Sequence, residues 1–109
     1  MNDSLPREQL ATAEIVFGIG EPGDSAYVIE SGRVEILAGP AQDRIAVLCA
    51  GELFGEVALL DQQPRTATVR TLEATTLVRI ERSHVNELLK RSDPVIRHLM
   101  TLLLERFRS

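Results

Sequence analysis

The chain has 109 residues, of which 44% are hydrophobic and 26% charged, with a formal net charge of −4. That size and mix describe one folded core and exclude disorder, collagen and coiled coil. A single cysteine, Cys49, excludes an internal disulfide and a multi-thiolate zinc site, and no apolar run approaches the ~20 residues that span a bilayer.

The first stretch, 1–10, carries acids and Pro6 with no apolar h-region, so it does not read as a secretory signal. With one cysteine, the reading is a reducing, cytoplasmic compartment. Residues 1–12 are set apart as an N-terminal segment, and the β region runs over 13–82. Ala13–Phe17 precedes a turn rich in glycine, Gly18 to Gly23. Ser25–Glu30 predicts a strand with Ala26 and Val28 on one face and Tyr27 and Ile29 on the other. Ser31-Gly32 supplies the tight turn into Arg33–Leu37, which places Val34 and Ile36 opposite Arg33, Glu35 and Leu37. Gly39-Pro40 breaks the pattern and Arg44–Cys49 resumes it, with Ile45, Val47 and Cys49 on one face, read as core. Ala67–Leu72 and Thr75–Ile80 add two more strands. Short antiparallel strands at near-regular spacing predict a sandwich, barrel or jelly roll.

The period changes in the last segment, 83–109. Ser83 is the expected N-cap of a helix through about Lys90, and Ser92-Asp93-Pro94 restarts a second one. Apolar positions 95, 96, 99, 100, 102, 103, 104 and 107 form a stripe wider than a solvent-facing helix needs. That stripe packs on the β body, on a ligand or on a partner. Charge is also split: residues 1–64 hold three basic and eleven acidic side chains, and 65–109 hold nine and five. The basic excess is either a solvated helix face or a partner surface. An acidic chain is a poor binder of nucleic acid, which needs clustered Lys and Arg. His84 and His98 lie in the helical part, away from any acid cluster, and are read as structural or exposed.

The chemistry-bearing segment lies between the strand groups, over 51–69. Phe54-Gly55-Glu56-Val57-Ala58 reads as a turn entering one helical turn, whose first amides have no partner inside the helix and carry partial positive charge. Such a turn is an anion site, and Gly55 lets a phosphate approach the backbone closely. Arg65, after Pro64, presents a guanidinium fork able to bond two phosphate oxygens, with the Thr66 hydroxyl beside it. An acid in an anion cradle needs separate work, and Glu56 suits a sugar hydroxyl. A 3′,5′-cyclic nucleotide offers both groups: one ring phosphate and one free 2′-hydroxyl.

Gly55 to Leu59, a short spacer, then Pro64-Arg65-Thr66-Ala67-Thr68-Val69 resembles the phosphate-binding cassette of the cyclic nucleotide-binding domain family. Gly20 to Gly32 resembles the family's upstream hairpin, and the likeness extends from about Glu14 to Phe107. The resemblance implies an eight-stranded antiparallel β-roll, a short cassette helix and two C-terminal helices. It implies cAMP or cGMP as ligand, with Thr66 leaving the base open and cAMP slightly favoured. Gly55, Glu56 and Arg65 would hold phosphate and ribose, with Phe54, Pro64 and the amides around Val57, Ala58, Thr66 and Ala67 completing the cradle. The last helix would close over the base and signal to an effector, or pair with a second copy of the chain. No catalysis, metal or other cofactor is implied.

Two other readings stay open. One is a β-roll interaction scaffold that no longer binds nucleotide, which the presence of both Glu56 and Arg65 speaks against; taken alone, those two residues also read as a structural ion pair. The other is a small cupin-type metalloenzyme, which a β region without histidine speaks against.

Overall fold

The computed structural model describes residues 5–56, 63–91, 93–95, 98, 99 and 102. Among the described residues, eight strands form two four-stranded antiparallel sheets. They are β1 (Arg7–Leu10), β2 (Ile15–Phe17), β3 (Ser25–Ser31), β4 (Arg33–Ala38), β5 (Asp43–Cys49), β6 (Leu53–Phe54), β7 (Thr68–Thr71) and β8 (Thr75–Glu81). One sheet has the order β1-β8-β3-β6 and the other β2-β7-β4-β5.

The alternation read from the sequence decides what faces the space between the sheets. Tyr27 and Ile29 from β3 meet Val34, Val69 and Leu77, with Phe17 and Phe54 closing one end. The three rings sit 5.4 to 6.2 Å apart between centroids, in contact range for offset packing. Ala26 points the other way, and there it packs with Ile80 and Val85. Val85 belongs to the helix α1 (Arg82–Arg91), which therefore covers the outer face of the first sheet. The expected start at Ser83 falls one residue inside this helix, whose Arg82 N–H donates to the Asp24 carbonyl at 3.2 Å. Of the second expected helix, Pro94, Val95, His98, Leu99 and Leu102 have helical backbone, and the remaining positions lie outside the described residues.

Two expectations are corrected. The roll begins before Ala13, because Arg7–Leu10 pairs with β8 from Arg7↔Val78 to Leu10↔Thr75. The segment REQL has no alternating apolar pattern, and pairing to an available sheet edge overrides its weak propensity. The second correction concerns β5. Its inward residues are Ala46 and Leu48, opposite Ile36 and Val34, so Val47 and Cys49 face outward and Cys49 is exposed. A register shift between Ile36 and Leu37 leaves Ile45 as an extra residue. That bulge resets the facing of the strand.

Candidate functional site

Arg65 is anchored first by its own backbone. Its N–H donates to the Glu21 carbonyl and its carbonyl accepts from Gly20 N–H, both at 2.8 Å. Pro22 and Pro64 face each other across the same junction. The turn between β2 and β3 and the segment before β7 are thereby fastened together, and Arg65 is only 9% exposed.

The guanidinium sits among carbonyls and a ring. Nη2 donates to the Ser25 carbonyl at 2.8 Å, Nη1 to the Gly55 carbonyl at 3.4 Å, and the carbon centre lies 3.9 Å from the Phe17 ring centroid. Two glycines make room for it. A Cβ at Gly23 would stand 2.9 Å from Nε, and one at Gly55 would stand 3.0 Å from Nη1. Gly55 also has φ +75°, a conformation that other residues adopt only at a cost.

Among the described residues, no carboxylate lies within 4.0 Å of this group, and its buried Nε has no hydrogen-bond partner. Burial pulls the guanidinium below its ordinary pKa, opposed in part by Tyr27, Asp24 and Glu21. A buried cation without a counter-charge is costly unless something supplies one. Arg65 makes no ion pair with Glu56, so the structural pair entertained from the sequence does not form. The backbone amides of Gly55, Glu56, Thr66 and Ala67 likewise donate no hydrogen bond among the described residues.

These groups line one end of a cleft of about 420 Å³, within the range of small-molecule sites. Gly55, Glu56, Pro64, Arg65, Thr66 and Ala67 all reach it, with Thr66 exposed at its rim. Phe54 contributes to the wall while its ring stacks on Tyr27 in the core. Val57 and Ala58, expected as amide donors, lie outside the described residues. The other end is aliphatic: Ile36, Ile45, Leu48 and Leu53. The lining suits a molecule that carries both an anionic group and an apolar body. Among the described residues no three metal-ligating side chains gather anywhere.

The cleft brings together Gly55, Glu56, Arg65, Thr66 and Ala67, which the sequence reading groups. That reading missed Phe17, Gly23 and Ser25, which hold the guanidinium. Gly23 gave a signal that was read only as a turn residue, whereas Ser25 acts through its carbonyl, which no side-chain pattern reports.

Residues 7–92 match the family model described as "Cyclic nucleotide-binding domain". The chain belongs to this family. The cyclic nucleotide-binding domain is 30% identical over 95 residues to a "cAMP-dependent protein kinase regulatory subunit" of Emericella nidulans, covering 87% of this chain and 23% of that protein. It is 34% identical over 96 residues to the "Cyclic AMP receptor protein" of Thermus thermophilus, covering 85% and 44%. Among solved structures, the domain superposes on a half-site-occupied form of EAL enzyme Bd1971 with a TM-score of 0.85, 38% identity and 96% of both chains covered. A cAMP-bound form of the same enzyme gives 0.73, covering 94% of this chain and 28% of that one. The chain thus spans less than half the length of these curated relatives. The family match starts at Arg7, the first residue of β1, in agreement with that strand being part of the roll.

Proposed function

We propose that this domain is a regulatory sensor, without catalysis of its own, that binds a 3′,5′-cyclic nucleotide, with cAMP favoured over cGMP. The observation that carries the reading is the buried Arg65 guanidinium, which among the described residues has no acid within 4.0 Å and stands next to amides without a partner in an amphipathic cleft. The ring phosphate supplies the missing charge, accepting from Arg65 and from amides of Gly55, Val57, Ala58, Thr66 and Ala67. Glu56 accepts from the ribose 2′-hydroxyl. The base lies against the aliphatic end, where Phe54 and Pro64 border the sugar. The cAMP preference draws on the relatives named for cAMP, although solved forms of the EAL enzyme carry either nucleotide.

Signalling requires that a closed form bind ligand more tightly than an open one. Val95, Leu99 and Leu102 are 73%, 51% and 46% exposed, an apolar stripe suited to cover a bound base, a second copy of the chain or an effector. None of the described helices is long and apolar enough to cross a membrane, and a cytoplasmic setting accords with an unpaired cysteine.

Calorimetric titration with cAMP and cGMP, on the wild type and on Arg65→Ala, tests the proposal. Saturable binding of either nucleotide by the wild type, lost in the variant, supports it. A folded wild type that takes up neither nucleotide overturns it and leaves the interaction scaffold.

A further inference from the structure

Arg65 is buried, and no acid among the described residues pairs with it. Among the described residues, Glu21 and Asp24 are acids whose charges reach Arg65. Residues on both sides of Asp24 touch the guanidinium: Gly23 packs against Nε, and the Ser25 carbonyl accepts from Nη2. A carboxylate in that position would neutralise the cation and occupy the donors that an anionic ligand needs. Both acids are instead engaged elsewhere. Glu21 Oε2 accepts from the Gly18 amide at 2.7 Å. Asp24 Oδ1 faces Nη2 of Arg79 at 3.9 Å.

Arg79 is built to hold that place. It stands on β8 directly opposite Tyr27 of β3, and its N–H donates to the Pro6 carbonyl at 2.9 Å. Its guanidinium also meets Glu8 Oε2 at 3.3 Å and Glu81 Oε1 at 3.5 Å. Of these acids only Glu8 accepts a hydrogen bond, while Asp24 and Glu81 are ion-pair contacts and the buried Nε has no hydrogen-bond partner among the described residues.

From this geometry we infer that Arg79 is a positioning residue for ligand binding: it draws the Asp24 carboxylate aside and leaves Arg65 open to an anion. The inference rests on the cyclic-nucleotide reading for its ligand, but the contact between Asp24 and Arg79 does not depend on one. Because Asp24 is 70% exposed, the restraint is a modest one.

A double-mutant cycle tests it, reading cAMP affinity and, in the ligand-free protein, the NMR signal of the Arg65 Nε–H. Arg79→Gln is expected to weaken cAMP about fivefold, Asp24→Asn alone to change it less than about twofold, and the double variant to return close to wild type. In Arg79→Gln the ligand-free Nε–H signal moves as the carboxylate pairs with it, and in the double variant it moves back. A merely long-range charge effect gives Asp24→Asn the same benefit in both backgrounds, and that outcome overturns the inference. So does an Nε–H signal unmoved by Arg79→Gln. Wild-type protein that binds no cyclic nucleotide defeats the functional reading instead, and the NMR comparison still decides the role of Arg79.

Discussion

Glu35 is 4% exposed and Arg65 is 9% exposed, but their surroundings are opposite. Glu35 stands on the outer face of the second sheet, in a row that runs Ile15, Arg70, Glu35, Val47 across four strands. Arg44 Nε meets one of its oxygens at 2.9 Å and Arg70 Nη2 meets the other at 2.6 Å. Both oxygens have an ionic partner, and the charge is finished business for the fold. Arg65 is gripped by carbonyls, a ring and two glycines, which fix its position without cancelling its charge. The contrast separates a charge that ties strands together from one held in reserve for a ligand.

Removing each charge should therefore have opposite consequences, and the largest effect is on binding. Arg65→Ala is expected to cost on the order of 3 kcal/mol of cyclic-nucleotide affinity, a hundredfold or more, because a desolvated phosphate loses its counter-charge. Its melting temperature should hold or rise, since an uncompensated buried cation is removed. A large fall in melting temperature with affinity intact would erase the distinction between the two sites. Gly55→Ala comes next. Its positive φ and the 3.0 Å approach to Arg65 Nη1 predict a stability loss of about 1–2 kcal/mol and a clear fall in affinity. Calorimetry and thermal melting on one sample would separate the two losses.

How much of this was legible beforehand depends on which physical signal each feature leaves in the sequence. Tyr27, Ile29 and Val34 announced their faces because a strand exposes its pattern every second residue. Gly55 and Arg65 were legible as a pair because their chemistry is carried by side-chain identity. The strand β1 was not, since Arg7-Glu8-Gln9-Leu10 becomes extended only by pairing with β8. The bulge at Ile45 was equally silent: one unpaired residue flips the strand's facing without changing its composition. The compensation of Glu35 also escaped, because Arg44 and Arg70 lie on neighbouring strands and meet it only once register is set.

The structural charge yields a pH prediction. Hydrogen bonds from Arg70 and then Arg44 hold the Glu35 carboxyl below its ordinary value of 4.5. A carboxyl whose folded-state pKa is depressed adds stability above its unfolded value and loses it as pH falls through the folded one. The wild type should thus lose melting temperature below about pH 4.5, and Glu35→Gln should flatten that part of the curve while lowering stability at neutral pH. Cyclic-nucleotide affinity at neutral pH should stay near wild type. A Gln variant with full acid sensitivity would assign the loss to other carboxyls.

The smallest effect is expected two register positions along the same outer face, at Cys49, which pairs with Arg33. Were it core, as its alternation with Ile45 and Val47 predicted, a polar replacement would leave a cavity and an unsatisfied hydroxyl. Instead the thiol is exposed, with Sγ 3.2 Å from Glu52 Oε1. The hydrogen bond and negative charge of Glu52 push the thiol up from its ordinary 9.0, which slows attack by the thiolate without hiding the sulfur. Cys49→Ser should therefore leave melting temperature and ligand affinity essentially unchanged, and native protein should react with a thiol-alkylating reagent to completion, faster as pH rises. Protection of the thiol until the protein unfolds would return β5 to the facing its sequence suggested and withdraw the bulge at Ile45.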